Sequence, residues 1–426
     1  MDSGSTAWIL TASAMVLLMT PGLALFYGGM VRSKSVLNMM MMSFGAIGLV
    51  GVLWVLFGYS MAFGSDIGGF VGNPLDYFGL EGLMGAPAED ATIPDMAFVA
   101  FQATFAIITV ALISGAIADR ARFGTWMTFA AIWTTLVYYP VAHWVWAADG
   151  WIFQLGAIDF AGGTVVHINA GIAGLALALI LGKRVGFGRE PMRPHNLPFV
   201  MLGAALLWFG WFGFNAGSAL AADNTASVVW VNTLVATCAA MLAWLLVEKI
   251  RDGHATSLGA ASGVVAGLVA ITPACSAVSP LGAIAVGAAA GVFCALAIGL
   301  KYKLGYDDSL DVVGVHLVGG IVGTVLIGFL ATAAAPAGVD GLFYGGGFDQ
   351  LGKQVIAAGA VMGYSLVVTL IIGSVLKATI GFRVPEEDEV AGVDTATHAE
   401  SAYEFGSVTG SGYRPTAGAS AEKVNA

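Results

Sequence analysis

The chain has 426 residues, of which 58% are hydrophobic and 10% are charged, whereas about a quarter of the residues in a typical soluble domain are charged. This composition excludes an ordinary soluble protein and indicates an all-α polytopic membrane protein. The net charge of −10 comes largely from outer loops and the tail, and no nucleic-acid motif occurs, so no nucleic-acid partner is expected. The three cysteines lack metal-ligand spacing and indicate no redox chemistry. Neither a metal nor another cofactor is expected.

Apolar stretches of roughly 20 residues, the length that crosses a bilayer as a helix, recur along the chain. About eleven are predicted: 8–30, 40–63, 96–118, 125–147, 163–182, 197–220, 226–249, 256–274, 280–300, 312–334 and 354–379. Lysine and arginine occupy alternate connections between these spans, from Arg32 and Lys34 to Lys301 and Lys303, and acidic residues occupy the others. Because cytoplasmic loops are rich in Lys and Arg, we expect the amino terminus outside the cell and the carboxyl terminus in the cytoplasm.

Two similar octapeptides lie in the fifth and tenth spans: His167-Ile-Asn-Ala-Gly-Ile-Ala-Gly174 and His316-Leu-Val-Gly-Gly-Ile-Val-Gly323. In each, glycines at i+4 and i+7 share the helical face of the histidine, and such small residues let helix backbones approach closely. We therefore predict that spans 1–5 and 6–10 form an inverted repeat, with the eleventh span peripheral. The two histidines should then face each other where the halves meet, the usual place for a transporter's site.

Ionisable residues inside a membrane are usually functional. Burial disfavours the charged imidazolium, so each histidine is expected to be mainly neutral, donating from one ring nitrogen and accepting at the other. A neutral pair of this kind can pass a proton. The alternative is that each histidine has only a structural role and forms a hydrogen bond that holds a neighbouring helix in place.

An acidic residue stands before each octapeptide, Asp159 before the first and Asp311 before the second. Both are predicted to cap the amide groups of the helix that follows, at the positive end of its dipole. For Asp159 we add a second role, because a buried carboxylate below an outer vestibule would stabilise an arriving cation.

Aromatic residues cluster near the predicted outer face. Three tryptophans surround the outer end of the fourth span, where they form either an interfacial belt or a cation–π surface: Trp144, Trp146 and Trp151. Phe101 and Phe105 lie at i and i+4 on the third span, and Phe214 lies on the sixth. These rings either pack as ordinary core or stack to close a pore and strip water from the solute.

The sequence resembles the ammonium transporter family (Amt/Mep/Rh), specifically its bacterial Amt branch. Long runs in the family's order carry this resemblance: Thr20-Pro-Gly-Leu-Ala-Leu-Phe-Tyr-Gly-Gly, Ala100-Phe-Gln-Ala-Thr-Phe, Asp159-Phe-Ala-Gly-Gly-Thr-Val-Val-His-Ile-Asn-Ala, Gly182-Lys-Arg-Val-Gly-Phe-Gly, Pro194-His-Asn-Leu-Pro, Gly210-Trp-Phe-Gly-Phe-Asn-Ala-Gly-Ser, Thr272-Pro-Ala-Cys and Arg383-Val-Pro-Glu-Glu. One departure is that Ala-Ala-Asp follows Trp146, where a glycine-rich run is expected.

The resemblance implies a role for each matching residue. It implies a pore with twin histidines, a paired phenyl gate and two further positions near the pathway: His167, His316, Phe105, Phe214, Trp211 and Thr272. It implies an outer ammonium-binding site with a buried acid nearby: Trp146, Ser218, Phe105 and Asp159. It also implies a homotrimer with one pore per subunit, and PII-type signal proteins that dock on the cytoplasmic face.

The predicted function is ammonium transport across the cell membrane, without enzymatic activity. Ammonium is captured outside and deprotonated, and ammonia passes the histidines together with a relayed proton. The alternatives are a neutral ammonia gas channel, an ammonium sensor that signals through a partner, and a membrane b-type cytochrome with the histidines as haem ligands. Residues 1–382 are expected to form the membrane domain and 383–426 a cytoplasmic tail with a disordered end.

Overall fold

The structure is a computed structural model that describes residues 1–86 and 91–403. Within those ranges, ten helices are long and apolar enough to cross a membrane. The segments that coincide with the predicted spans are α1 (Ser3–Met30), α2 (Val36–Phe63), α3 (Asp95–Ile117), α4 (Phe123–Trp133, Thr134–Tyr138 and Tyr139–Trp146), α5 (Gly163–Leu181), α6 (Leu197–Gly217), α7 (Asn224–Asp252), α8 (Ser257–Ala274), α9 (Pro280–Leu304), α10 (Val313–Leu330) and α11 (Asp349–Thr379). All but α4 belong to the ten. The predicted class, an all-helical polytopic membrane protein, is confirmed, and the count of eleven spans stays a prediction.

Short elements connect or follow these helices. An antiparallel hairpin of β1 (Asp66–Ile67) and β2 (Val71–Gly72) follows α2. The short helices are Phe78–Leu80, Trp151–Leu155, Leu342–Tyr344, Glu386–Ala391 and Val393–His398. None of these short elements was predicted from the sequence, because segments of this length have no resolvable hydrophobic period.

The helices differ greatly in how deeply they are buried. The most apolar stretch of α5 is 83% buried, and those of α3 and α8 are 78% buried, whereas that of α11 is only 33% buried. Helices α5 and α10 pack against each other in the interior, and α11 lies against α5 and α10 from outside. Because α2 is buried even less, at 28%, low burial does not single out α11. The peripheral position of α11 and the inverted repeat both remain predictions.

Two glycines of the octapeptides permit the close contact between α5 and α10. A Cβ atom on Gly171 would lie 2.5 Å from the backbone nitrogen of Leu317, and one on Gly320 would lie 3.0 Å from the carbonyl oxygen of Gly163. The prediction that glycines let these helices approach is thus confirmed for this pair. Gly174 and Gly323 serve other contacts, since they face Ala116 near the end of α3 and Ala270 of α8 respectively.

Helices α5 and α10 share an unusual start. Each begins with a π-helical turn, Gly163–Ile168 in α5 and Val313–Leu317 in α10, and each turn contains the predicted histidine. Turns of this kind are rare and occur frequently at functional sites. The same local distortion therefore places His167 and His316 on corresponding parts of the two helices.

A buried ionic cluster ties the ends of several helices together on the side rich in Lys and Arg. Arg184 pairs with Asp119 at 3.0 Å and with Asp307 at 2.9 Å. Burial alone would lower the pKa of the Arg184 guanidinium, but the two carboxylates outweigh burial and raise it. The cluster extends into the tail, where buried Glu389 accepts a hydrogen bond from the backbone N–H of Val185 at 2.7 Å. The predicted disorder at the end of the tail concerns residues beyond 403, outside the described residues.

Candidate functional site

The two histidines of the octapeptides meet in the interior. Nδ1 of His167 lies 3.3 Å from Nδ1 of His316, and the ring planes are 20° from parallel with centroids 5.4 Å apart. One nitrogen must donate and the other accept, so a proton lies between the rings. His167 is 1% exposed and His316 3% exposed. The prediction that the histidines face each other is confirmed.

The space beside the histidines is narrow and almost entirely apolar. A cavity of about 10 Å³ adjoins both rings, which is room for about one water-sized molecule. Its lining residues are Met19, Leu23, Phe26, Ile108, Leu112, Val166, His167, Leu207, Trp211, Phe214, Val265 and His316. Among the described residues, Nε2 of His167 has no hydrogen-bond partner. A small polar solute in this space would therefore find an open imidazole nitrogen.

A stack of aromatic rings lies on one side of the histidines. Phe105 and Phe214 stack with centroids 4.2 Å apart and planes 30° from parallel. Phe214 lies 6.1 Å from His167, and Trp211 stacks on the same imidazole at 5.5 Å. Both Phe rings are almost wholly buried. Phe105 lines a larger cavity and Phe214 lines the small cavity beside the histidines, so the pair lies between the two.

Trp211 is fixed by Thr272, the other residue predicted near the pathway. The indole Nε1 of Trp211 donates to Oγ1 of Thr272 at 2.8 Å, and that hydroxyl donates to the carbonyl oxygen of Leu268 at 2.7 Å. Thr272 lies in α8. Its part in the site is therefore indirect, because it holds the ring that stacks on His167.

A cavity of about 380 Å³ lies on the other side of the phenyl pair. The predicted outer-site residues all line it: Phe105, Trp146, Asp159 and Ser218. The Trp146 indole stands edge-on to Phe105, with centroids 5.7 Å apart and planes at 89°. The structure thus brings the whole predicted outer site together. Trp144 lies outside this cavity lining, and its indole donates to the carbonyl oxygen of Phe70 in the hairpin turn at 2.7 Å.

Gln102 also lines the outer cavity, although no role was predicted for it. Its buried Oε1 has no hydrogen-bond partner among the described residues, so it is an acceptor available to a bound donor. A signal was present in the sequence, since Gln102 precedes Phe105 by three residues and therefore shares its helical face.

Asp159 caps α5, as predicted. Its carboxylate accepts from the backbone N–H groups of Gly162 at 2.9 Å, Gly163 at 2.5 Å and Thr164 at 2.9 Å. It also accepts from the Thr164 hydroxyl and from Val165 N–H. These donors occupy the carboxylate, so its oxygens have few lone pairs left for a direct ligand in the cavity.

The predicted cap of α10 was wrong. Asp308, not Asp311, accepts from the backbone N–H groups of Val312 at 3.1 Å and Val313 at 2.7 Å. Asp311 has a left-handed backbone with φ of 63°, and its carboxylate pairs with Lys301 at 2.7 Å. The physical reason is that the carboxylate of Asp311 is engaged by Lys301, so the free amide groups at the start of α10 are satisfied by Asp308 instead.

A membrane bundle whose interior holds a narrow apolar path, closed by rings below a wider outer cavity, is typical of a channel or transporter for a small solute. The chain belongs to the Ammonium Transporter Family, whose sequence model matches residues 7–403. It is 62% identical to an ammonium transporter of Mycobacterium tuberculosis (strain ATCC 25618 / H37Rv), over 96% of this chain and 92% of that protein. It is 48% identical to one of Bacillus subtilis (strain 168), over 95% and 99% respectively.

Solved structures give the same result. Mep2 of Saccharomyces cerevisiae matches with a TM-score of 0.84 at 38% identity, over 91% of each chain. A sensor Amt protein matches with a TM-score of 0.85 at 29% identity, over 92% of this chain and 98% of that one. The family suggested by the sequence runs is therefore confirmed across nearly the whole chain.

Proposed function

We propose that this protein is an ammonium transporter of the cell membrane, which captures ammonium in the outer cavity, removes its proton and conducts ammonia past the two histidines. The observation that carries the proposal is the direct contact between His167 and His316 at the end of an apolar, ring-closed path. The relatives named ammonium transporter support the substrate.

Capture depends on groups that favour a cation with N–H donors. The Trp146 indole offers a cation–π face to ammonium. The Ser218 hydroxyl donates to the carbonyl oxygen of Phe214 at 2.8 Å, which leaves its lone pairs free to accept from ammonium. Oε1 of Gln102 is a further acceptor, and the charge of Asp159 attracts the cation from beneath the cavity.

Selection depends on the proton rather than on size. Ammonium and potassium have similar radii and equal charge, and both lose hydration in an apolar path without gaining equivalent ligands. Ammonium alone can give up a proton and proceed as neutral ammonia. The stacked Phe105 and Phe214 exclude water at this point, so an intact cation is rejected.

The released proton follows the same route through the histidines. Ammonium yields one ammonia and one proton, His167 accepts the proton, and the shared Nδ1 contact passes a proton to His316. Net ammonium charge then crosses the membrane. A neutral gas channel would leave this proton outside, so transport current separates the two mechanisms.

A haem-bearing alternative is disfavoured by the same geometry. Axial ligation requires a porphyrin and its iron between the two imidazoles, yet their nitrogens are in hydrogen-bond contact. A sensing function is the second candidate, because the fold also matches a sensor Amt protein. In this alternative, the protein signals bound ammonium to a partner through its tail. Loss of uptake in His167→Ala with an intact partner response would favour the sensing function.

Further proposals concern the assembly in the membrane. The distribution of Lys and Arg supports an outer amino terminus and a cytoplasmic tail. The resemblance to the family implies a homotrimer with one pore per subunit and docking of a PII-type protein on the cytoplasmic face, and both belong to this proposal. Domain limits of 1–382 for the membrane part and 383–426 for the tail belong to the same proposal.

The test is uptake of ammonium and methylammonium into liposomes that contain the purified protein. Wild type should accumulate both and should not conduct potassium. His167→Ala should lose discrimination or uptake, whereas His254→Ala, on an exposed connection, should match wild type. Equal potassium and ammonium fluxes through wild type would contradict the proposal.

A further inference from the structure

We infer that Gln354 of α11 is a positioning residue for the outer site. Its side-chain amide holds the backbone of Ile158, the residue before Asp159, and so fixes the acid and the Trp146 indole in the cavity wall. The inference rests on the proposed function, since it assigns Gln354 a part in ammonium capture. In this inference α11 positions the outer site in addition to packing against α5 and α10.

The amide of Gln354 makes a two-point contact with Ile158. Its Oε1 accepts from the backbone N–H of Ile158 at 2.6 Å, and its Nε2 donates to the carbonyl oxygen of the same residue at 2.7 Å. This pairing resembles one rung of a β-ladder, with a side chain in place of a strand. It fixes both the position and the orientation of the Ile158 peptide groups.

The remaining hydrogen-bonding positions of the Gln354 side-chain amide are also occupied. Nε2 donates a second bond to the carbonyl oxygen of Thr324 in α10 at 3.2 Å, and Oε1 accepts a second bond from Gln350 at 3.0 Å. A glutamine amide has two donors and two main acceptor positions, and all four are occupied. Gln354 is 0% exposed, so water cannot replace any partner that a substitution removes.

The segment that Gln354 holds is part of the outer site. Ile158, Asp159 and Phe160 all line the outer cavity. The carbonyl oxygen of Asp159 accepts from the Trp146 indole at 3.0 Å, so displacement of this backbone also moves the ring proposed to bind ammonium. Because Thr324 belongs to α10, Gln354 also joins the outer part of the helix with His316 to the loop that leads to His167.

The substitution Gln354→Ala leaves the N–H and C=O of Ile158 and the carbonyl of Thr324 without these partners. We expect the half-saturating methylammonium concentration to rise about tenfold, the equivalent of one lost buried hydrogen bond, while the maximal rate per folded protein changes much less. Thr369→Val is the matched control. Thr369 is also buried in α11 and accepts a bond from Trp133 at 2.9 Å, but neither of these two residues lines the outer cavity.

Gln354→Glu gives a second readout that a merely structural role would not produce. An ionised carboxylate can only accept, whereas a protonated carboxyl can both accept from Ile158 N–H and donate to its carbonyl oxygen. The half-saturating concentration of this variant, divided by that of wild type at the same pH, should therefore fall toward one as the pH is lowered. The corresponding ratio for Gln354→Ala should stay constant.

The full-length protein in liposomes serves for all of these measurements. An unchanged half-saturating concentration in Gln354→Ala, or an equal loss of maximal rate in Gln354→Ala and Thr369→Val, would overturn the inference. A pH-independent ratio for Gln354→Glu would overturn it as well. Absence of uptake by wild type would instead contradict the proposed function, so the two failures are distinguishable.

Discussion

Replacing Gly171 with alanine tests whether the contact between α5 and α10 sets the geometry of the histidines. The added Cβ would lie 2.5 Å from the backbone nitrogen and 2.7 Å from the Cα of Leu317, where an ordinary contact begins at 3.4 Å. Backbone atoms cannot rotate away, so the helices must separate by up to 3.4 − 2.5 = 0.9 Å. Leu317 adjoins His316, and the Nδ1 atoms, now 3.3 Å apart, would then pass the limit of a hydrogen bond.

We expect Gly171→Ala to lower the thermal stability, because overpacking typically costs about 1–3 kcal/mol. Methylammonium uptake should fall by a larger factor than stability alone explains, since a misplacement of about 1 Å can reduce the rate about 100-fold. The assays are thermal unfolding of the purified protein and uptake into liposomes.

Gly363→Ala is the matched control, because a Cβ on Gly363 of α11 would meet nothing within 4 Å. This variant should be as stable as wild type or slightly more stable, since alanine favours a helix by up to about 1 kcal/mol over glycine. Equal uptake and equal melting temperatures in the two variants would refute the reasoning.

Three further predictions follow from other parts of the structure. Burial raises the pKa of Asp308 from 3.8 to about 6, so its contribution to stability is present at low pH and is lost as the pH rises through that value. The melting temperature of wild type should therefore fall relative to that of Asp308→Asn between about pH 4 and pH 7, and parallel pH profiles would contradict this. Phe214→Ala removes half of the ring pair with Phe105 and should increase potassium leak in a liposome flux assay, whereas an unchanged leak would exclude Phe214 from the gate. Glu389→Gln weakens the ion pair with Arg383, 2.7 Å long, and should speed trypsin cleavage after Arg383, whereas identical digestion rates would show that the pair does not hold the tail.

The helices and the histidine contact were predictable because they depend on patterns that repeat along the chain. Span lengths follow from bilayer thickness, and the glycines of the two octapeptides indicated a close helix contact. Gly171 and Gly320 do lie at that contact. The outer residues were predicted through the family resemblance, since the spacing of aromatic residues alone did not separate a binding site from ordinary packing.

The cap of α10 illustrates what a closer comparison of the repeats could have found. Asp159 precedes its histidine by 167 − 159 = 8 residues, and Asp308 precedes the other by 316 − 308 = 8 residues. Asp311 is nearer to the predicted helix start, and a regular α-helix was assumed there. A π-helical turn of five or six residues is too short to alter the hydrophobic period of a span, so periodicity did not reveal the turns at Gly163–Ile168 and Val313–Leu317.

Gln354 was not predictable for a different reason. A single glutamine in a span predicted to be peripheral belongs to no pattern, and three of its four hydrogen bonds join α11 to segments far away in the sequence. Such contacts can be identified only from a three-dimensional structure in which the loop before α5 lies against α11. The residues that hold a site are therefore harder to predict than those that line it.

The most direct test of the histidine relay is the current evoked by ammonium pulses on liposomes that contain the purified protein. Wild type should give an inward positive current with ammonium and none with potassium, and His167→Ala should lose the ammonium current. Ammonium uptake by wild type without any current would show that the proton does not cross, and would contradict the relay between His167 and His316.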